Sequence, residues 1–288
     1  MRWPPRWLLP GSCANLVPVP DHAASRPPLD REALAASTRW RFEVVDESPS
    51  TSAEVAARFR DGEQPGLALV AEHQTAGRGR LDRTWVTPAR SSLTVSFLLD
   101  PAGVPVARWP WLPLLAGVAV AEAVRRSAPD VAAGVALKWP NDVLCHDRKL
   151  AGVLLERVEA AGRAAAVTGI GLNVSQTAGE LPVPEATSLA VEGVVVDRTA
   201  LLLALGDELA GRVAAWTAAG GQPDEVRASY LRLCSTVGRR VRVQLPGEDT
   251  LDGEGVDVDG DGRLLLRTPT GERRIGAGDV VHVRPEQA

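Results

Sequence analysis

Apolar residues between Ser52 and Leu233 recur either at helical spacing or in short continuous runs, whereas beyond Ser235 only brief alternating stretches remain, separated by Gly, Asp and Pro. The stripe Leu202, Leu205, Leu209, Val213 and Trp216 predicts a long helix from about 198 to 216, with another over 223–233. Residues 111–126 carry Leu114, Leu115, Val118 and Ala121 on one face and end on Arg125 and Arg126, the charge that a helix C-terminus favours. A shorter helix over 52–60 follows Ser50, Thr51 and Ser52, whose side-chain oxygens suit an N-cap. The apolar run 67–71, stopped by Glu72, predicts a buried strand, and further strands are expected over 93–99, 136–139, 152–158 and 165–170. Between the first two lies HQTAGRGRLDRTWVTPARS, which fits neither period and predicts a long loop. The last fifty or so residues read as a small all-β barrel, and their DVDGDG run reads as a turn because the flanking helices and the twelfth-position glutamate of a calcium loop are absent.

Composition narrows the class. A length of 288 residues with 45% hydrophobic content supports a main domain plus a smaller one around an aliphatic core. A net charge of -4 and a pI near 5.7 give no general footprint for nucleic acid or an anionic membrane surface. No segment reaches the ~20 apolar residues of a bilayer span. Cys13, Cys145 and Cys234 are odd in number and far apart, so their spacing predicts neither a disulfide framework nor a zinc site and fits a reducing cytoplasm. Residues 1–35 read as a disordered, proline-rich extension, since Pro4, Pro5 and Pro10 interrupt the apolar run that a signal sequence needs. That leaves 36–234 as the main domain and 235–288 as the barrel.

Of 32 basic residues only Lys138 and Lys149 are lysine, and both stand in KWPNDVLCHDRK. An ammonium is a compact point charge that a wide guanidinium fork rarely replaces in a tight pocket, so these positions are candidates for a small cation at a reacting centre. Lys138 faces Asn141 and Asp142 across Pro140, and one cation beside hard oxygen ligands suggests a nucleotide held with magnesium. Lys149 is followed by Gly152, which has no side chain to bar a ligand from its strand. Upstream, GRGR at 77–80 matches neither a Walker loop nor a dinucleotide fingerprint, yet glycine-spaced arginines suit phosphate or carboxylate oxygens. His73 and His146 read as structural or solvated.

GRGRLDRTW, LKWPNDVL, DRKLAGVLLE and GIGLNV, in this order and spacing, resemble the catalytic domain of biotin–protein ligases, from about residue 45 through the small C-terminal domain. The resemblance implies an α+β fold, a mixed β-sheet with flanking helices similar to class II synthetases, followed by an SH3-like barrel. It implies that ATP and biotin are the substrates, with Mg2+. Biotin would be activated as its adenylate and passed to a lysine of the biotin carboxyl carrier domain of an acyl-CoA carboxylase.

By the same resemblance Ser50, Thr51 and Ser52 line the biotin pocket, although serine stands at 52 where the family has asparagine. Gln74 partners the ureido group, and Gly77, Arg78, Gly79 and Arg80 form a mobile lid. Lys149 touches the biotin carboxylate and the α-phosphate beside Gly152, so Lys149 and Arg80 are the expected catalytic residues. Arg83, Trp85, Lys138, Asn141, Asp142 and Asn173 fall to ATP, with Asp142 the expected magnesium ligand; Asp82 stands where the family often has glycine. A monomer or weak homodimer is expected. No operator DNA is expected as a partner, because the residues ahead of the catalytic domain lack a helix-turn-helix pattern. Two other readings stay open: a lipoate–protein ligase, and a biotin-sensing regulator without turnover.

Overall fold

The structure is a computed structural model and describes residues 26–80, 83–245, 249–276 and 278–282. The first elements are α1 (Arg31–Ala35), β1 (Arg41–Ser48), α2 (Thr51–Arg60) and β2 (Leu67–Gln74). A two-stranded ribbon, β3 (Gly77–Arg78) with β4 (Thr84–Trp85), precedes β5 (Ser92–Leu99) and α3 (Trp111–Ser127). Then come β6 (Val135–Lys138), β7 (Asp142–Cys145), β8 (Arg148–Ala160) and β9 (Arg163–Asn173), the last three each antiparallel to the strand before, followed by α4 (Arg198–Ala218) and α5 (Asp224–Leu233). The chain ends in β10 (Arg240–Gln244), β11 (Thr250–Val258), β12 (Leu264–Thr268), β13 (Gly271–Ile275) and β14 (Asp279–His282).

A 7-stranded mixed sheet, ordered β1-β2-β5-β9-β8-β7-β6, carries the main domain. Its one parallel pair, β1 with β2, is joined through α2, as a parallel pair requires. Period-two alternation sorts the side chains. Leu93, Val95, Phe97 and Leu99 of β5 join the main core with α3 and α4, and Leu98 joins a second cluster with Val55 and Phe59 of α2. Helices thus cover both faces, and β5 is buried along its whole length. The alternate positions Ser92, Thr94 and Ser96 are hydroxyls, buried on the face where α2 lies. Among the described residues no helix is long and apolar enough to cross a membrane.

The second sheet is 5-stranded and antiparallel, ordered β13-β12-β11-β10-β14, around Val241, Val243, Leu264, Leu266 and Val280. Its DVDGDG run is the expected turn: Asp259 Oδ1 accepts from Asp261 N and Arg263 N at 2.9 and 3.0 Å. The same turn docks the two domains, because Trp111 and Trp139 donate their indole N–H groups to Gly260 O and Gly262 O.

Three expectations need correction. Residues 26–35 are ordered: Asp30 caps α1 by accepting from Glu32 N and Ala33 N, Leu29 and Leu34 are buried, and Leu29 N donates to Glu72. Two leucines and a cap outweigh the proline content there. Residues 1–25 lie outside the described residues. The loop 73–91 is not irregular throughout, since β2 continues to Gln74 and the ribbon pairs Gly77 with Trp85. Third, 41–48 was not among the expected strands, yet it forms the edge strand β1, with Phe42 and Val44 packed on the main core and Arg41 and Glu43 paired with each other.

Candidate functional site

One cleft of ≈ 670 Å3 opens where α2, the β3–β4 ribbon and strands β7, β8 and β9 converge. At one end its chemistry is neutral. Ser50 caps α2 by accepting from Ala53 N, which turns Thr51 and Ser52 inward. Ser96 of β5 bonds both hydroxyls, Thr51 Oγ1 at 2.8 Å and Ser52 Oγ at 2.9 Å. Gln74, the last residue of β2, accepts through Oε1 from Thr51 N at 2.9 Å. Every member of this network is buried.

The floor is made of glycine. Gly152 of β8 and Gly171 of β9 are direct cross-strand partners, and the indole of Trp85 lies over them. A Cβ on Gly171 would stand 2.3 Å from that ring, and one on Gly169 would stand 2.4 Å from Ser52 Oγ, so β9 leaves no room for a larger residue at either position. Gly77 holds the ribbon down by the same rule: its Cβ would meet Gln74 Nε2 and Trp85 O at 2.2 Å. The indole N–H of Trp85 is buried without a hydrogen-bond partner among the described residues. Such a donor is costly unless a ligand satisfies it.

The other end is charged. The β6–β7 hairpin places Lys138 opposite Asp142, with the cis Trp139–Pro140 peptide in the turn. Asp142 Oδ2 meets Lys138 Nζ at 2.9 Å, and Oδ1 meets Lys149 Nζ at 2.7 Å. The carboxylate side chain is 8% exposed and the two lysines 20% and 34%. Burial alone would raise the Asp142 carboxyl, but the two ammonium groups outweigh it and hold the group below the usual carboxylate range. Lys149 Nζ also stands 5.8 Å from the Trp85 ring centroid. Arg80 reaches across from the ribbon, donating to Asn141 Oδ1 at 3.0 Å and to Gly278 O of the barrel at 3.1 Å. Arg83 pairs with Asp279, which raises its guanidinium, while burial lowers that of Arg80. The barrel therefore supplies part of the cleft wall.

The family model for the biotin/lipoate A/B protein ligase family matches residues 42–173, and that for the biotin protein ligase C-terminal domain matches 236–283. The chain is 41% identical to the biotin--[acetyl-CoA-carboxylase] ligase of Mycobacterium tuberculosis over 92% of its own length and 99% of that protein's. The chain belongs to the biotin/lipoate protein ligase family. The fold agrees: the biotin protein ligase from Aquifex aeolicus, solved with biotin and ATP, is similar at TM-score 0.70 and 28% identity over 85% of this chain and 99% of that one. The Leishmania major ligase solved with biotinyl-5-AMP is similar at TM-score 0.58 and 25% identity, over 82% of this chain and 99% of that one. The mixed sheet, its flanking helices and the appended barrel are those of this ligase family.

Within this ligase fold, Ser50, Thr51, Ser52, Gln74, Gly79, Arg80, Asn141, Lys149 and Gly152 all face the one cleft. Some expected residues are engaged otherwise. Lys138 does not border the cavity and pairs with Asp142 behind it. Arg78 borders it but turns its guanidinium to Glu156 of β8 at 2.8 Å. Asn173 has both amide ends committed, donating to Thr187 O and accepting from Gln176 Nε2, so it braces the wall. The magnesium assignment of Asp142 does not fit this arrangement, because both carboxylate oxygens are held by ammonium groups.

Ser96, Gly169, Gly171, Asp279 and the segment 182–187 were not found from sequence. The glycine pair had a signal, since GIG at period two in a strand leaves one face bare. Ser96 had a weaker one in the alternation S-L-T-V-S-F. Asp279 comes from another domain, and 182–187 has no periodicity; it clamps Lys149 all the same, through Lys149 N to Glu185 O and Thr187 N to Lys149 O at 2.7 and 2.8 Å.

Proposed function

We infer that the protein is an ATP-dependent biotin ligase, which adenylates biotin and transfers it to a carrier lysine. The observation that carries this is the joining of two opposite environments in one cleft: a closed neutral end of hydroxyls and an amide, and a cationic end, meeting at Lys149 over a glycine floor. Biotin is itself divided in this way, with a neutral ureido ring at one end and a carboxylate at the other.

In this reading Thr51, Ser52 and Gln74 receive the ureido ring with Ser50 shaping the helix end, and the biotin chain lies along Gly152 and Gly171. Its carboxylate oxygen attacks the α-phosphorus of ATP in line, and pyrophosphate leaves. Negative charge gathers on the non-bridging oxygens. Lys149 and Arg80, already fixed by Asp142 and Asn141, stabilise that charge without reorganising, and loss of one such group costs about 2.7–4 kcal/mol in comparable sites. Lys138 positions Asp142 and Arg83 faces the phosphates; magnesium arriving with ATP would supply charge neutralisation on those phosphates. The carrier lysine then attacks the adenylate carbonyl and AMP departs, with no protein nucleophile. The β3–β4 ribbon with Trp85 keeps water from the mixed anhydride.

The carrier is the biotin carboxyl carrier domain of an acyl-CoA carboxylase, and the reaction belongs to the cytoplasm. The test is incubation with ATP, magnesium, biotin, lipoate and an unmodified carrier domain, followed by mass spectrometry of the carrier. Biotinyl addition is expected, and lipoyl addition in preference would overturn the reading. Biotin-dependent exchange of pyrophosphate into ATP is expected as well; its absence would leave a sensor instead of an enzyme.

A further inference from the structure

We propose that Cys145, His146 and Glu192 form a binding site for one borderline-soft divalent cation of the zinc type, at the β7–β8 turn that leads into Lys149. The three side chains are the one group of at least three metal-ligating residues found among the described residues, with their donor atoms all within 4.8 Å of one another. The spacing of the cysteines gave no such pattern, because the carboxylate arrives 46 residues downstream of the histidine.

The turn itself prepares the site. His146 and Asp147 both adopt left-handed backbone, at φ 48° and 60°, which brings the His146 ring over Gly134. A Cβ on Gly134 would stand 2.4 Å from His146 Nε2, so the ring lies there only because this residue is glycine. His146 Nδ1 then stands 3.7 Å from Cys145 Sγ and 2.7 Å from Glu192 Oε2. In a tetrahedral zinc site, bond lengths of about 2.3 Å to sulfur and 2.0–2.1 Å to nitrogen set the two donors roughly 3.6 Å apart. The sulfur–nitrogen pair is already at that separation. The carboxylate has only to draw back from its hydrogen bond with the ring to admit the ion.

Glu192 is oriented for this role. Its Oε1 accepts from Arg148 Nη2 at 2.8 Å and Thr187 Oγ1 at 2.6 Å, while Oε2 has His146 as its partner. One oxygen is anchored and the other is directed at the cluster, the arrangement that outer partners give a metal-binding carboxylate. Cys145 is fully buried and the Glu192 side chain is 6% exposed, but that of His146 is 55% exposed. The ion therefore enters from the histidine side, where water completes four-coordination. As the metal–sulfur bond forms, the thiol proton leaves to solvent, and thiolate plus carboxylate balance the two positive charges. No electron is transferred. The bound ion would stiffen the wall of the cleft, because Thr187 also holds the Lys149 carbonyl through its N–H and the Asn173 amide through its own carbonyl.

The measurement is titration of the chelator-treated full-length protein with Co2+, a spectroscopic stand-in for zinc. One equivalent should give tetrahedral d–d absorption together with a thiolate-to-cobalt charge-transfer band, and zinc should abolish both. Cys145→Ser should remove the charge-transfer band, which separates this site from Cys13 and Cys234, and His146→Ala should weaken binding at least tenfold, with circular dichroism melts as the folding control. If Cys145→Ser fails to fold, His146→Ala decides, since its side chain is half exposed. Absence of a thiolate band in the wild type, its persistence in folded Cys145→Ser, or undiminished affinity in His146→Ala would each overturn the proposal and leave a hydrogen-bonded clasp.

Discussion

The two ends of the cleft are stabilised in opposite ways. At the neutral end Ser96, Thr51, Ser52 and Gln74 satisfy one another before any ligand arrives, and their positions are fixed by a helix cap and two strands of one sheet. At the charged end the cations are aimed by counter-groups: Asp142 for the lysines, Asp279 and a barrel carbonyl for the arginines. The first end is built to a shape. The second is built to a charge, and it draws on both domains, so recognition of a neutral ring and handling of a phosphate can be altered separately.

The strongest challenge to that division is Lys149→Arg. Charge is preserved, but the guanidinium must fit beside Gly152, where a Cβ would already lie 3.3 Å from the Lys149 ammonium. Misplacement of a reacting group by about 1 Å costs ~10²-fold in rate, so single-turnover formation of biotinyl-adenylate should fall by that order while the thermal melt is unchanged. A rate within about threefold of wild type would show that the site needs only charge there.

Asp142→Asn should come next, with a loss of about tenfold in adenylation, or ~1.4 kcal/mol, because the two ammonium groups lose the anion that aims them. It also carries a pH signature. Lys149 and Lys138 hold the folded carboxyl below its ordinary range despite burial, so its contribution to stability is complete at neutral pH and drains away as pH falls through the depressed value. Urea midpoints should therefore differ most between wild type and variant at neutral pH and converge below about pH 4. A constant difference across that range would contradict the linkage.

Ser96→Ala tests the other end. Two buried hydroxyls lose their common partner, at a cost of about 1–3 kcal/mol in stability. The KM for biotin should rise while that for ATP stays put, and equal changes in both would dissolve the distinction between the ends. The smallest effect is expected from Asp279→Asn, where the exposed pair with Arg83 contributes at most ~1 kcal/mol. Arg83 is freed for the nucleotide, so the dissociation constant for ATP, read by calorimetry, should improve by no more than about fivefold. A large loss of affinity would mean that the barrel acts on ATP directly.

Much of this was legible in the sequence, for identifiable reasons. The helical stripe of α4 and the apolar runs of β2, β5 and β9 depend on periodicity, which survives in a single chain. The charged end was marked by chemistry: a chain with almost no lysine keeps two of them on the strands either side of β7. What escaped was set by partners distant in sequence. The N-cap signal at Asp30 was masked by neighbouring prolines, and its purpose shows only when Leu29 N reaches Glu72. Asn173 was expected to contact nucleotide, yet its amide is committed to Thr187 and Gln176, which lie on a loop without periodicity.

The ordered segment before β1 decides where the chain can be cut. Arg26 pairs with Glu180, Arg198 donates to Pro27 O and to Glu72, and Leu29 N closes the remaining oxygen of that buried carboxylate. A shortened version starting at residue 42, where the family model begins, would strip these contacts from Glu72, two residues from Gln74. Anyone trimming this ligase for use as a labelling reagent should begin no later than Arg26, and should place a cleavable tag ahead of it.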